Sequence, residues 1–262
     1  MGKLDGRVAI VTGASRGIGR EIAALFAEEG AKVVAVARTA RDGGHQLPGG
    51  VEDLVEIIRA VDGEATAVTC DISQFDELDG LIEAAHRAYG PVSVLVNNAA
   101  VTFAMPIEEM PLKRWQKMLD VDLTAPMLLA QKVIPDMIDA GRGNIVNISS
   151  IAAQHPQARE AGAPRWYNTT YGTVKAGLER FTTGLASEVG EKGIAVNALS
   201  PTGIVPTPGV MHHRLVESED DPRAEPPAFM AKAALILASC DAAATNGRIT
   251  YSQELLREDG QL

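Results

Sequence analysis

Tyr171 and Lys175 form the residue pair with the clearest chemical potential in this 262-residue chain. Residues four positions apart lie on one face of a helix, one turn from each other. A phenol has an ordinary pKa of about 10, and a fixed ammonium nearby favours the phenolate, so the pair predicts an acid–base tyrosine. The same pattern also fits a solvated helix face. Ser150, at the end of a predicted strand, and a glycine cluster near the N-terminus favour the catalytic interpretation.

The glycine cluster lies in the segment Thr12–Gly19 (TGASRGIG), between the first predicted strand and the first predicted helix. Glycines let a backbone approach a pyrophosphate closely, and the following helix N-terminus offers amide N–H groups and a positive dipole end. The spacing of Gly13, Gly17 and Gly19 is G-x-x-x-G-x-G, and the lack of a G-K-[ST] sequence excludes a Walker loop. The alternative is a turn with no ligand, but the position in the first strand–helix unit favours a dinucleotide site.

Arginines near the end of the second predicted strand indicate which cofactor binds. An NAD site favours an acidic residue there for the ribose hydroxyls, whereas an NADP site favours Arg for the additional phosphate. This chain has Arg38 at the strand end, Arg41 close by and Arg16 in the glycine loop, with no Asp or Glu at the strand end. We therefore predict that NADP(H) is preferred over NAD(H). The alternative is that Arg38 is a solvated loop charge.

Strand-like and helix-like segments alternate along the chain, and continuously apolar strands in this arrangement indicate a parallel sheet covered on both faces. We predict an α/β, single-domain doubly wound Rossmann fold with about seven parallel strands, in which residues 1–262 form one dinucleotide-binding and catalytic domain. The predicted strands are Arg7–Thr12, Lys32–Ala37, Ala65–Asp71, Val92–Asn97, Gly143–Ser149, Gly193–Leu199 and Arg248–Ser252. The predicted helices are Gly17–Glu29, Val51–Ala60, Phe75–Tyr89, Leu112–Ala140, Tyr171–Val189 and Ala228–Ser239. Kinks or breaks are expected at Pro126 and Pro135.

Three irregular stretches interrupt this alternation, and loops of such length in a compact fold are usually functional or disordered. Thr39–Gly50 separates the second strand from its helix, and Ala152–Thr170 precedes the helix that carries the tyrosine. The stretch at about 201–227 is rich in Pro and charged residues, and we predict a substrate loop that closes over the site. The alternative is a solvated mobile loop. His212 and His213 lie within it as candidate substrate contacts.

Composition narrows the classes of function. The formal net charge of −10 argues against nucleic acid or anionic lipid as the main partner. Cys70 and Cys240 are far apart, which indicates buried thiols in a reducing compartment instead of a disulfide or a metal site, and no metal is predicted. No apolar run approaches the about 20 residues that a bilayer-spanning helix needs. Since the first residues lead directly into a strand-like segment, we expect a cytoplasmic protein without a signal peptide.

Motifs that follow one another along the chain resemble those of the short-chain dehydrogenase/reductase superfamily, from about Gly6 to about Thr250. They are TGASRGIG at Thr12–Gly19, Asp71 with Ile72 after the third strand, NNAA at Asn97–Ala100, Ser150 with Tyr171 and Lys175, and Asn197–Pro201. The extended loop after the second strand, the AVNAL stretch and a tail around Glu254–Leu256 further resemble the branch named hydroxysteroid dehydrogenase-like protein 2. The name of that branch does not identify a steroid as the substrate.

The resemblance implies a role for each site residue. Ser150 would bind the substrate oxygen, Tyr171 would transfer the proton, and Lys175 would lower the pKa of Tyr171 and bind the nicotinamide ribose. It also implies a homotetramer or homodimer packed through the long helices around 112–140 and 171–189. The residues implied to contact the cofactor are Gly13, Ser15, Arg16, Gly17, Ile18, Gly19, Arg38, Asp71, Ile72, Asn98, Ala99, Tyr171, Lys175, Pro201 and Ile204.

Two features depart from the superfamily pattern. The superfamily has V-N-L where this chain has Val121–Leu123 (VDL), and that Asn is implied to anchor a water on the path to the catalytic Lys. Asp122 would take this position as a catalytic residue, and its negative charge would hold the Lys175 ammonium more firmly. The alternative is a helix-bend residue without a catalytic role. The interval from Ser150 to Tyr171 is also longer than usual, and the added residues are expected to form part of the substrate rim.

Together these patterns predict an NAD(P)-dependent oxidoreductase. It would transfer a hydride between C4 of a nicotinamide and the carbonyl or secondary alcohol of an unidentified, apolar substrate, while the protein supplies orientation and electrostatics. A non-catalytic NADP(H)-binding sensor or scaffold is the alternative from another class, and an epimerase or dehydratase is a third. Sensor proteins would tend to lose Tyr or Lys from the motif, so the intact pair Tyr171 and Lys175 favours the enzyme.

Overall fold

One parallel sheet organises the protein in a computed structural model, which describes residues 2–155, 168–212, 216, 218 and 220–262. The strands are β1 (Val8–Thr12), β2 (Lys32–Ala37), β3 (Ala65–Thr69), β4 (Val94–Asn97), β5 (Gly143–Ile148), β6 (Ile194–Ser200) and β7 (Ile249–Tyr251). They are ordered β3-β2-β1-β4-β5-β6-β7, and every neighbouring pair is parallel. The seven-stranded, doubly wound α/β fold that the sequence predicts is confirmed.

Helices connect the strands and cover both faces of the sheet. Within the described residues they are α1 (Gly17–Glu28), α2 (Val51–Arg59), α3 (Glu77–Tyr89), α4 (Leu112–Leu119), α5 (Ala125–Asp139), α6 (Thr169–Val189), α7 (Pro208–His212), α8 (Pro227–Ser239) and α9 (Ser252–Glu258). Short 3-10 turns lie at Ile107–Glu109, Ile151–Ala153 and Gly190–Lys192. None of the helices in the described part of the chain combines the length and the apolar character needed to cross a membrane.

Alternation along the central strand β1 creates two hydrophobic cores. Ala9 and Val11 pack on one face of the sheet with residues of α1, α2, α8 and α9, and Val8 and Ile10 pack on the other with residues of α3, α5 and α6. Successive strand side chains point to opposite faces, so a strand buried on both sides must be apolar throughout. That requirement explains the uninterrupted run VAIVT, all of which is buried.

The predicted helix Leu112–Ala140 consists of three parts. A π-helical turn at Asp120–Thr124 joins α4 to α5, and α5 continues through Pro135. The irregularity precedes Pro126, which carries no N–H that could bond to the carbonyl of Asp122 four residues earlier. A π turn inserts one extra residue into the helix and is frequent at functional sites. Here the side chain of Asp122 is directed into the protein interior and is 1% exposed.

The order of the strands determines where a site can form. From β1 the chain moves outward through β2 and β3, then returns to place β4 on the other side of β1. The connections at the carboxyl ends of β1 and β4 therefore leave in opposite directions, and a crevice opens between them. The predicted glycine loop follows β1, and the predicted Asn98 and Ala99 follow β4.

A buried arginine ties the opposite, amino-terminal end of the sheet together. The Arg7 guanidinium donates to Asn144 Oδ1 at 2.7 Å, to the Ala238 carbonyl at 2.8 Å and to the Ser93 carbonyl at 2.6 Å. Burial, followed by the nearby charge of Arg142, lowers the pKa of Arg7 to about 10. This network joins β4, β5 and the end of α8 at a point remote from the crevice.

Candidate active site

A cleft of about 650 Å³ lies at the carboxyl ends of the strands. Its lining includes every predicted cofactor residue except Gly19, together with the predicted catalytic residues Ser150, Tyr171 and Lys175. Gly19 lies within α1 and Asp122 lies behind Lys175. Neither residue lines the cleft, and each contacts residues that do. Residues 156–167 of the predicted substrate rim, and residues 213–215, 217 and 219 of the predicted substrate loop with His213, lie outside the described residues.

Close packing accounts for the glycines of the loop after β1. Gly13 has a φ of +67°, and a Cβ there would lie 2.8 Å from Ala99 Cα. A Cβ on Gly19 would lie 2.3 Å from Asn98 Nδ2, which donates to the carbonyls of Thr12 and Gly13. No larger side chain fits either position without displacing backbone. The loop thus forms a bare backbone cradle at a helix N-terminus, which fits the pyrophosphate of a dinucleotide.

Asp71, after β3, is held by polar contacts at the far end of the cleft. Its Oδ1 accepts from the Ser73 N–H at 3.1 Å and from Ser73 Oγ at 2.7 Å, and Lys117 Nζ lies 3.4 Å from Oδ2. Burial opposes ionisation, but the Ser73 bonds and the Lys117 charge outweigh it and lower the pKa of Asp71. Lys117, on α4, also lines the cleft. It belongs to no recognisable sequence motif, and it was therefore not identified from the sequence.

The loop after β2 folds over the glycine loop through Arg16. The Arg16 guanidinium donates to Thr39 Oγ1 at 3.2 Å and to the Gly49 carbonyl at 3.0 Å, and it lies 3.1 Å from His45 Nδ1. His45 Nδ1 also accepts from the Leu47 N–H at 3.0 Å. Burial and the charges of Arg16 and Arg38 lower the pKa of His45, which favours the neutral imidazole. His45 and Leu47 line the cleft, although sequence analysis gave them no role.

The two arginines after β2 have different surroundings. Arg41 forms ion pairs with Glu52, Asp53 and Glu56 on α2 and does not line the cleft. Arg38 is exposed at the edge of the cleft, and among the described residues no hydrogen-bond or ion-pair partner holds it. Its guanidinium is therefore free for an anionic group in the cleft.

The predicted catalytic hydroxyls meet at the floor of the cleft. Ser150 follows β5, and its Oγ accepts from the Ala152 N–H at 3.2 Å in the 3-10 turn after the strand. Tyr171, in the first turn of α6, is half-buried and lines the cleft together with Ser150. Burial raises the pKa of the phenol, and the Ser150 hydroxyl lies near enough to oppose this increase. Lys175 Nζ lies 5.6 Å from the centroid of the Tyr171 ring. The Tyr–Lys spacing on one helix face thus places both groups at one point, as predicted.

A buried ion pair lies beneath Tyr171. Lys175 Nζ is 3.3 Å from Asp122 Oδ1 and donates to the Ile148 carbonyl at 3.0 Å. The Asp122 oxygens accept from the Val101 N–H at 3.1 and 3.3 Å. Burial alone would lower the pKa of Lys175, but Tyr171 and Asp122 reverse this effect and raise it. The side chain of Asp122 is therefore the counter-ion of the Lys175 ammonium.

The net shift of the Tyr171 pKa is opposite to the lowered proton affinity that the sequence predicts. Burial raises this pKa by more than Lys175, as predicted, lowers it. Lys175 opposes the increase, whereas the charge of Asp122 adds to it. Burial also raises the pKa of Asp122 itself, against the opposing effects of Lys175 and the Val101 N–H. The motif gives the distance between Tyr and Lys but not the desolvation of the phenol.

No cluster of metal-ligating side chains occurs in the part of the chain that the structure describes. Three or more His, Cys, Asp or Glu side chains do not come together there in a ligand geometry. Cys70 is buried at the cleft and Cys240 is partly buried, and both are free thiols. Burial raises the pKa of the Cys70 thiol to about 12, which makes it inert at neutral pH.

Comparisons with known proteins identify the family of the chain. The model of the short chain dehydrogenase family matches residues 7–217. Over 201 residues the chain is 36% identical to glucose 1-dehydrogenase 2 of Bacillus subtilis, covering 76% of this chain and 72% of that protein. Over 254 residues it is 33% identical to 7alpha-hydroxysteroid dehydrogenase of Escherichia coli K12, covering 94% and 92% of the two chains.

Solved structures give the same result. A 7 alpha-hydroxysteroid dehydrogenase complexed with NADH and 7-oxo glycochenodeoxycholic acid has a TM-score of 0.79 and 31% identity, over 95% of this chain and 93% of that chain. A putative NAD(P)-dependent gluconate 5-dehydrogenase from Beutenbergia cavernae with bound NADP has a TM-score of 0.79 and 32% identity, over 95% and 96%. With a family match over most of its length and relatives above 30% identity, the chain belongs to the short-chain dehydrogenase family and is an oxidoreductase that acts on CH–OH or carbonyl groups.

Proposed function

We propose that this enzyme prefers NADP(H) and interconverts a carbonyl and a secondary alcohol on an apolar substrate. One observation carries the proposal. Ser150 and Tyr171 line the same cleft as the glycine cradle, and the Lys175–Asp122 ion pair lies beside the Tyr171 ring. When bound, the nicotinamide would supply or accept the hydride at C4. NAD(H) is the alternative cofactor, and the hydroxysteroid dehydrogenase-like protein 2 branch stays a prediction.

The cradle and the cleft edges would hold the cofactor. Gly13 and Gly17 would let the pyrophosphate approach the N-terminus of α1. Asp71 and Ile72 would contact the adenine. Arg38 would bind the additional phosphate of NADP(H). The contacts proposed for the rest of the cofactor involve Ser15, Arg16, Ile18, Asn98, Ala99, Tyr171, Lys175, Pro201 and Ile204, all of which line the cleft. Gly19 would support the cradle from behind.

Each residue of the proposed site has a separate role in proton transfer to or from the substrate. Ser150 would hold the substrate oxygen next to Tyr171, and Tyr171 would donate its proton to that oxygen during reduction or accept one during oxidation. Lys175, whose raised pKa keeps it charged, would stabilise the phenolate left after donation. Asp122 would hold the ammonium in place. A phenol with a raised pKa retains its proton at neutral pH, which favours the donor role in carbonyl reduction.

Apolar residues in the lining of the cleft favour an apolar substrate. They include Val101, Ala104, Val121, Ile151, Val205 and Val210. Such walls gain little from polyhydroxylated ligands, because a polar group buried without a partner costs free energy. A packed, buried catalytic ion pair also favours the enzyme over a non-catalytic sensor, since a binding protein has no need to bury that charge.

Assembly and location stay predictions. A homotetramer or homodimer through the helices around 112–140 and 171–189 is supported by exposed apolar side chains on the first of these segments. Leu112 is 76% exposed, Met127 is 38% exposed and Ile138 is 40% exposed. A cytoplasmic location is supported by two free thiols.

Replacing Tyr171 by Phe tests the catalytic proposal. Because the variant lacks the transferable proton, kcat for NADPH-dependent carbonyl reduction is expected to fall by about a hundredfold or more. NADPH binding, measured by fluorescence titration, is expected to stay near that of the wild type. Tyr89→Phe, at the end of α3, is the matched control. Equal activity of the two variants would remove Tyr171 from the scheme, and NADPH binding without turnover of any carbonyl by the wild type would favour the sensor alternative.

The pair of arginines after β2 tests the cofactor preference. In Arg38→Gln we expect KM for NADPH to rise about tenfold or more, because a charge-assisted bond to phosphate is lost, while KM for NADH changes little. Arg41→Gln removes an equal charge that is already paired on α2, and it should leave both values unchanged. A wild-type enzyme that turns over faster with NADH than with NADPH would contradict the proposed preference.

The pH profile of Asp122→Asn tests the ion pair. Donation requires the protonated phenol, and Asp122 contributes to raising the pKa values of Tyr171 and Lys175. Asn keeps the size and an acceptor for the Val101 N–H but removes the charge, so both pKa values should fall. The alkaline limit of kcat/KM for reduction is therefore expected at lower pH than in the wild type. Asp120→Asn, two residues away on the same π turn, is the control, and an unchanged or higher limit in Asp122→Asn would exclude this role.

A further inference from the structure

Glu225 is a fully buried carboxylate that the proposed chemistry does not use. Its side chain is 0% exposed. Oε2 accepts hydrogen bonds from the Thr202 N–H at 3.0 Å, the Gly203 N–H at 2.9 Å and Gln253 Nε2 at 3.1 Å. Oε1 accepts from the Ser252 hydroxyl. One carboxylate therefore joins the segment after β6 to the start of α9.

The charge of Glu225 is compensated by these neutral donors. None of the ion pairs formed by the described residues includes Glu225. A buried carboxylate without a cation is tolerated only where several N–H and O–H groups point at it. Removing the carboxylate would leave the Gly203 N–H without its acceptor, and the Thr202 N–H would keep only Ser252 Oγ, at 3.1 Å. The free-energy cost would therefore fall on the backbone of this segment.

Glu225 also closes the base of the 201–227 loop. The Ile204 N–H donates to the Arg223 carbonyl at 2.8 Å, and the Glu225 N–H donates to the Ile204 carbonyl at 2.9 Å. The two ends approach so closely at Gly203 that a Cβ there would lie 2.9 Å from the Arg223 carbonyl oxygen and 3.0 Å from Glu225 Cβ. The ends of the loop are thus fixed to each other, and Glu225 fixes both to α9.

The segment that Glu225 holds is a wall of the cleft. Pro201, Gly203, Ile204 and Val205 all line it, on the side where the nicotinamide would lie in the proposed function. Glu225 stands directly behind this wall and does not itself line the cleft. A loop backbone with few contacts of its own would otherwise sample several shapes.

We propose that Glu225 is a positioning residue, which holds the backbone of residues 201–204 in the shape that the nicotinamide end of the cofactor requires. The inference rests on the proposed function, since the cofactor must occupy the cleft for the wall to matter. It makes the rate of hydride transfer depend on a carboxylate that touches neither substrate nor cofactor. A role in folding alone would not predict a specific effect on cofactor affinity.

Two substitutions of Glu225 test the proposal against two controls. In Glu225→Leu we expect KM for NADPH to rise and kcat to fall, each by about tenfold or more, because the Gly203 N–H loses its acceptor and the Thr202 N–H loses one of its two acceptors. Glu225→Gln keeps an oxygen for the Thr202 and Gly203 N–H groups while its NH2 donates to Ser252, so a smaller rise in KM of about two- to threefold is expected. Glu254→Gln, exposed on α9, and Arg7→Leu, destabilised at the far end of the sheet, should keep wild-type kinetics.

Amide hydrogen exchange gives a second readout. Exchange at Thr202 and Gly203 is expected to accelerate in Glu225→Leu but not in Arg7→Leu. Wild-type NADPH kinetics in Glu225→Leu, or equal kinetic losses in Arg7→Leu, would overturn the inference. If Glu225→Leu does not fold, an unchanged KM in Glu225→Gln would overturn it. A wild-type protein that binds neither NADPH nor NADH would instead refute the proposed function, so the two failures are distinguishable.

Discussion

The ion pair between Lys175 and Asp122 is the constraint around which the site is built. Both side chains are almost entirely buried, and removing one partner of such a pair typically costs about 3–5 kcal/mol because the other charge is left without compensation. The pair can form only if α6 and the π turn at Asp120–Thr124 are held against each other beneath the end of β5. The fold thus fixes the positive charge of Lys175 below Tyr171, where the ammonium is shielded from water.

The surrounding elements follow from this arrangement and from the sheet. Parallel strands deliver their carboxyl ends to one edge, where the bare backbone around Gly13 faces the phosphate end and Ser150 faces Tyr171. Polar side chains fix two walls of the cleft: Asn98, which lines it, supports the glycine loop, and the buried Glu225 supports the segment after β6. The walls are therefore shaped before any ligand arrives, which reduces the entropy lost on binding.

The strands, the glycine loop and the Tyr–Lys pair could be predicted because local patterns encode them. Apolar runs reveal buried parallel strands, and spacing on a helix sets which side chains meet. The π turn was missed, since a helical pattern does not show that Pro126 releases the carbonyl of Asp122. Other features depend on contacts between distant segments. They are the hydrogen bonds of Arg16 to the loop after β2, the hydrogen bonds that Glu225 accepts, and the raised pKa of Tyr171. Periodicity carries no information about these contacts or about desolvation.

The most direct test of the account is the titration of the Tyr171 phenol in the free enzyme, followed by NMR of ring-labelled tyrosine and assigned with Tyr171→Phe. The account predicts that Tyr171 titrates above the ordinary phenol value of about 10, and that replacing Asp122 by Asn brings its titration to lower pH. A Tyr171 that titrates below the ordinary value, or that does not respond to the loss of the Asp122 charge, would contradict the central claim.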